Sequence, residues 1–188
     1  MIRKNMNKKR ILWITQTAIF IALLLAVQIF TRPFGQIVTG SCINFILVSS
    51  CILGGMPSAA IVAIVSPVCA FMLIGIPAFP ILIPFMMAGN FVLVAVIHFI
   101  SGKAFIDINS HSNFRIYASA VTGAILKFLT LWIGILQIAL SFIPDISQPQ
   151  KDVMAVTFSW PQLVTALIGS SFAVTITPKL MKYLHNHR

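Results

Sequence analysis

One charged side chain stands inside an otherwise apolar run: Lys127, in the stretch from Ile116 to Ile143. It lies about eleven residues into that stretch, and at ~1.5 Å per residue this register puts its ammonium near the middle of a ~30 Å hydrocarbon layer. A charge at that depth is costly and usually faces a cavity or a partner. No acid in an apolar run can pair with it, because Asp107, Asp145 and Asp152 all fall in connecting segments. Two readings stay open: a bound ligand's carboxylate or phosphate supplies the counter-charge, or the lysine snorkels or bonds helix carbonyls.

Other polar and aromatic residues could share a site with it. Asn90 offers both a donor and an acceptor, suited to a ligand or to an interhelical hydrogen bond. Arg32, at the rim of a connection, could gate an anion or meet lipid headgroups. Trp160 and Gln162 could stack on and hydrogen-bond a heterocycle, although Trp160 equally fits an interfacial aromatic belt. Phe79 and Phe85 could line the apolar part of a pocket or face lipid. His98 falls near the far end of its run, and His111, His185 and His187 sit in polar segments with no chemistry assigned. The cysteines, Cys42, Cys51 and Cys69, show no paired spacing for a disulfide framework or zinc and read as small apolar fillers. No catalytic set, metal site or cofactor is expected.

The elements that would position these residues follow from composition. The chain has 59% hydrophobic and 9% charged residues, with a mean hydropathy of +0.99. Soluble domains are about half apolar and a quarter charged, so this composition cannot build a water-soluble surface. The fold class expected is an all-α integral membrane protein, a compact bundle of about six transmembrane helices in a single domain covering residues 1–188. The spans are placed at about residues 11–30, 37–53, 58–74, 81–100, 116–143 and 153–176.

Punctuation between the runs is clear. Thr31-Arg32-Pro33-Phe34-Gly35 stops the first, Gly54-Gly55-Met56-Pro57 turns the second into the third, and Gly75 to Pro80 forms a stiff, apolar outer connection. Ser66-Pro67 kinks the third span and frees backbone groups that neighbouring helices must satisfy. The polar segment from Ser101 to Arg115 is expected in the cytoplasm, and Pro144 to Asp152 outside. The sixth span is read as continuous through the amphipathic Thr157 to Gln162.

Net charge is +10, from 13 Lys and Arg against 3 acids. The cations flank apolar runs: Arg3, Lys4, Lys8, Lys9 and Arg10 precede the first, and Lys179, Lys182 and Arg188 follow the last. By the positive-inside rule both termini are cytoplasmic, and membrane orientation explains the basicity better than a nucleic-acid partner does. The run from Ile11 to Phe30 is too long for a cleavable signal peptide, and no small-residue cleavage site closes it. No fixed-period repeat or nucleotide-binding loop is present.

In the first run Ala18, Ala22 and Ala26 recur every fourth residue, stacking on one helix face where another helix can approach closely, in this chain or in a partner. With the basic start, the short spans, Gly40-Ser41-Cys42-Ile43-Asn44, Gly54-Gly55, Ser66-Pro67, and Pro84-Phe85 followed by Gly89-Asn90, the chain resembles the substrate-binding S component of energy-coupling factor (ECF) transporters across nearly its whole length. The resemblance implies a transmembrane coupling (T) subunit docked on the alanine face, a pair of cytoplasmic ATPase subunits, and capture from outside of a vitamin or related micronutrient. Lys127, Asn90, Trp160, Gln162, Arg32 and Phe79 are the residues expected to bind it. It also implies that the loaded subunit topples in the bilayer on docking. An uncompensated Lys127 suits an anionic vitamin such as pantothenate, a folate or a nicotinate.

Two other function classes compete. An intramembrane enzyme needs acid/base groups or metal ligands converging at one depth, and the spans hold no carboxylate. A stand-alone secondary transporter or channel is expected to show inverted repeats and intramembrane acids, and neither is visible.

Overall fold

The chain's apolar runs form helices that pack side by side, and a computed structural model describes residues 2–102, 110–143 and 146–186. Lys103, Asp107, Asn109, Pro144, Asp145, His187 and Arg188 lie outside the described residues, as does the expected siting of the two polar connections to which the first five belong. Among the described residues all regular structure is helical. The long elements are α1 (Ile2–Thr31), α2 (Gly35–Ile74), α3 (Ile83–Ser101), α4 (Ser110–Leu131), α5 (Gln148–Thr157) and α6 (Trp160–Asn186). A 3-10 turn, Arg32–Phe34, joins α1 to α2, and another, Pro80–Leu82, leads into α3. Four helical stretches are long and apolar enough to cross a membrane: Arg10–Ile74, Pro80–Ser101, Phe114–Phe142 and Gln148–Met181.

The first of these is 65 residues long, about 98 Å if straight, and it is not straight. Gly35 has φ 83°, where the 3-10 turn ends. Inside α2, Gly55 has φ 76° and ψ 176°, a conformation that side chains with a Cβ rarely adopt. Residues from both ends of α2, Gly35 to Asn44 and Ser66 to Ile74, line one cavity. An unbroken helix of 40 residues would hold them about 60 Å apart, so the chain doubles back at Gly55.

Two expected boundaries shift. The run expected at 153–176 is divided: α5 ends at Thr157 and α6 begins at Trp160, because Pro161 supplies no N–H and favours the first turn of a new helix. The run expected at 116–143 starts as α4 but continues as a π-helical segment, Trp132–Ile138, and a 3-10 turn, Ala139–Phe142. Gly134 lies against Phe85 there, and an added Cβ would sit 2.5 Å from the Phe85 ring.

Packing is closest between α2 and α6, with α2 also against α1 and α3, and α4 against α3 and α6. One apolar cluster gathers Leu24, Leu47, Val62, Leu93, Ile97 and Ala120; a second gathers Leu82, Leu131, Ile135 and Phe158. Along α3 and α4 a polar layer with Asn90 and Lys127 separates the two. The outer surface is apolar as well: Met72 is 77% exposed and Phe99 and Phe114 are each 78% exposed. Such a surface fits a hydrocarbon solvent rather than water.

Interhelical hydrogen bonds between small polar side chains tie the bundle. Thr17 donates to Ser58 at 2.9 Å, Ser49 and Thr177 are 2.9 Å apart, and Ser101 donates to Ser119. The α2–α6 crossing depends on Gly169, where an added Cβ would collide with the Ser41 carbonyl oxygen and lie 2.7 Å from Asn44 Cβ. Gly169→Leu is therefore expected to destabilise the protein by ~1–3 kcal/mol, read as a lower melting temperature in detergent. Gly102→Ala, where an added Cβ meets nothing within 4 Å, is the control that should melt like the wild type. Equal melting of both variants would mean that α2 and α6 do not approach this closely.

Candidate functional site

Glycines at two helix crossings bring three polar side chains together. Gly40 of α2 faces Thr165 of α6, where an added Cβ would lie 2.9 Å from the threonine methyl. Together with Gly169 this lets the two backbones close in around Asn44, one turn beyond Gly40. On α3, Gly89 takes the Leu131 side chain of α4, 2.8 Å from where a Cβ would stand. The neighbouring Asn90 is thereby carried to Lys127.

Lys127 is 3% exposed, Asn44 1% and Asn90 7%. Lys127 Nζ donates to Asn44 Oδ1 at 2.6 Å and to Asn90 Oδ1 at 2.7 Å. Both are short bonds to neutral amide oxygens. Asp152, the one acid among the described residues, is exposed and accepts from Gln148, so Lys127 has no carboxylate partner among them.

The amides are oriented by what lies behind them. Pro67 has no N–H to give the carbonyl four residues earlier, that of Ala63. Asn90 Nδ2 donates to the Ala63 oxygen instead, at 3.5 Å, which turns its own Oδ1 toward the lysine. The expectation that neighbouring helices satisfy the backbone freed at Ser66-Pro67 is met by this contact; beside it Gln28 Nε2 donates to Ser66 Oγ at 3.1 Å and to the Ser66 carbonyl at 3.4 Å. Asn44 Nδ2 donates to Thr165 Oγ1 at 3.4 Å, and that hydroxyl donates to the Gln162 carbonyl at 3.1 Å.

Above this cluster lies a cavity of about 340 Å³, reached by α1, α2, α3, α4 and α6 and by the joints at Arg32–Gly35, Ile74–Ile76 and Thr157–Phe158. Its polar wall includes Gln28, Gln36, Asn44, Asn90, Lys127 and Gln162. Its apolar wall is mainly aliphatic, with Ile43, Ile74 and Met86, and Phe158 is the aromatic ring among its lining residues. Gln36 Nε2 and Gln162 Nε2 both donate to the Thr157 carbonyl, at 2.7 and 3.3 Å, and so pin the end of α5 at the mouth.

Of the residues singled out in the sequence, Lys127, Asn90, Gln162 and Arg32 line this cavity, Arg32 with an exposed side chain. Trp160 does not: it is 60% exposed, because it opens α6 on the outward side, two residues before Gln162 turns inward. Phe79 lines an adjoining apolar cavity of about 360 Å³ between the 76–82 connection and α5, beside Leu82, Val153 and Met154, which shares Ile76, Thr157 and Phe158 with the first. Phe85 packs on the π-helical turn at Gly134. Asn44, Gln28 and Gln36 were not foreseen as site residues. Polar amides in apolar runs are themselves the signal, but a search for an opposite charge passes over neutral acceptors.

On α1, Thr17, Leu24 and Gln28 are buried against α2, which leaves Ala18 and Ala22 exposed and Ala26 half-buried. Ala18 and Ala22 are therefore free of packing within the chain, whereas Ala26 is partly covered. All three cysteines are free thiols. Among the described residues no cluster of three or more His, Cys, Asp or Glu could hold a metal. One buried lysine and several amides face a small, partly open space. No family model, curated protein or solved structure matches the chain.

Removing one member costs its neighbours a buried partner each. Asn44→Leu and Lys127→Met are each expected to destabilise the protein by about 1–3 kcal/mol, and the double variant by less than their sum. Thermal unfolding of the four proteins in detergent gives the coupling directly. Strict additivity would show that the 2.6 Å contact contributes nothing.

Proposed function

We propose that this chain is the substrate-binding S component of an ATP-driven importer of the energy-coupling factor kind, and that it captures a vitamin or related micronutrient from outside the cell. The observation that carries the reading is the cavity: a preformed small-molecule space, walled by amides and one buried lysine, at one end of a bundle whose exterior is apolar. Its volume is at the small end of the range for ligand sites.

In this reading α2 crosses twice, on either side of Gly55, and the chain makes about six passes through the membrane. The cavity then opens on the side of Arg32, Gly75 and Thr157. Among the described residues, all Lys and Arg except Arg32, Lys127 and Lys151 fall toward the opposite side, which the positive-inside rule makes cytoplasmic together with both termini. The chain has no nucleotide-binding loop, so the energy comes from a pair of partner ATPases through a membrane coupling subunit. The exposed Ala18 and Ala22 face is the natural seat for that subunit, since small residues admit a second helix closely.

Reconstitution with the coupling subunit and ATPases of the same cell tests this. Uptake into proteoliposomes is expected to require ATP and all subunits. Ala22→Trp, on the outer face of α1, should abolish both association and uptake while ligand binding to the isolated chain stays within about twofold. Uptake by the chain alone, driven by an ion gradient, would overturn the reading in favour of a secondary transporter.

A further inference from the structure

The cavity's wall specifies more about its ligand than that it is small. Resting on the reading of this cavity as the binding site, we infer that the ligand is a compact aliphatic monocarboxylate bearing hydroxyl or amide groups, with its carboxylate seated on Lys127 between Asn44 and Asn90.

Charge comes first. The lysine nitrogen has three N–H donors; two are taken by the amide oxygens at 2.6 and 2.7 Å, and the third is left for the cavity that Lys127 lines. The amide oxygens contribute dipoles and no net charge. At a nitrogen this buried a cation without a counter-charge is costly, and an anion placed against it is held strongly. The other lining cation, Arg32, is at the mouth. Asn44, which holds the lysine, is about nine residues and so roughly 13 Å along α2 from Gly35, beside the turn that carries Arg32. One ammonium at the floor matches one carboxylate, whereas a phosphate dianion seated there would bring a second charge that Lys127 alone does not meet. Among the described residues no acid lines the cavity, so none of them offers a counter-charge to a cationic ligand or to the amine of an amino acid.

Hydrogen-bonding capacity agrees. Asn44 Nδ2 and Asn90 Nδ2 each commit one hydrogen to a long contact, at 3.4 and 3.5 Å, and each keeps a second. With the third lysine N–H these donors suit the several lone pairs of a carboxylate. Higher in the cavity Gln28, Gln36, Gln162 and Thr39 offer both donors and acceptors, the complement of hydroxyls and amides. A flat heterocycle is poorly served, because Phe158 is the aromatic ring on the wall while Trp160 and Phe79 lie elsewhere.

The test uses the purified full chain in lipid nanodiscs, with four probes whose binding is measured by calorimetry. They are pantothenate (an aliphatic hydroxy-amide carboxylate), its neutral alcohol analogue pantothenol, nicotinate (an aromatic carboxylate) and thiamin (a cation). In parallel, any copurifying small molecule is extracted and its carboxylates are counted by methyl esterification and mass spectrometry. The expected results are tighter binding of pantothenate than of the alcohol by about 100-fold, equivalent to ~2.7 kcal/mol, no binding of thiamin, and a single ester on any extracted ligand. Lys127→Met should erase the difference between acid and alcohol. Preference for the alcohol, the cation or the aromatic acid, failure of all four probes to bind, or extraction of a phosphate ester, an amine or an aromatic heterocycle would each overturn the inference. The comparison of acid with alcohol needs no variant, so it stands even where Lys127→Met does not fold. Because the isolated chain is used, a carboxylate that binds but is never taken up with the ATPase module refutes the importer and leaves the ligand class standing. ATP-dependent uptake of thiamin does the reverse.

Discussion

A lysine nitrogen held by two amide oxygens in the middle of an apolar bundle is the constraint around which the rest is arranged. Its contacts draw on α2, α3 and α4 at once, so the three helices have to meet at one depth and in one register. Small residues at Gly40, Gly89 and Gly169 make that meeting possible by removing the side chains that would hold the helices apart. The amides in turn are held by Thr165 on α6 and by the Ala63 carbonyl in the far part of α2. A polar cluster with this many fixed members is costly to assemble in hydrocarbon, and its cost is offset only when each group finds a partner.

The same cluster gives the cavity its character. Without it, the space between the helices would be an apolar gap like the groove beside α1 that is lined by Leu23, Val27, Phe45 and Phe172. With it, the floor carries charge and direction while the walls remain largely aliphatic. The upper wall is set by different means: Gln36 and Gln162 converge on the end of α5, so a short helix outside the main bundle becomes part of the enclosure.

Much of the helical layout is legible in the residues, because a helix end in an apolar chain is marked by groups that cannot continue it. Gly75, in the left-handed conformation, closes α2 at the expected Ile74, and the pair Gly54-Gly55 marks the fold-back. What is not legible depends on contacts between distant segments. The divide between α5 and α6 is hidden by hydropathy that runs on through Phe158, and the π-helical turn after Leu131 involves Phe85 meeting Gly134. For the site, that Lys127 faces a cavity or a partner could be read from its position in an apolar run alone. Trp160 and Phe79 could not be placed, since their direction depends on how α6 and the 76–82 connection rotate against the bundle. Asn44 went unassigned because an isolated positive charge suggests a negative partner, whereas the protein surrounds it with neutral carbonyls.

The order of these groups along the chain bears on how such a molecule is made. Asn44 and Asn90 both precede Lys127, and Pro67, which leaves the Ala63 oxygen to Asn90, precedes them in part. During synthesis from the amino terminus, the two acceptors are therefore already available in the nascent bundle when the lysine emerges. The reverse sequence of events would release a lone ammonium into lipid with nothing to receive it. Thr165 and Gly169 arrive last, so α6 acts as the closing stave, entering against an assembled polar floor rather than being required to create one.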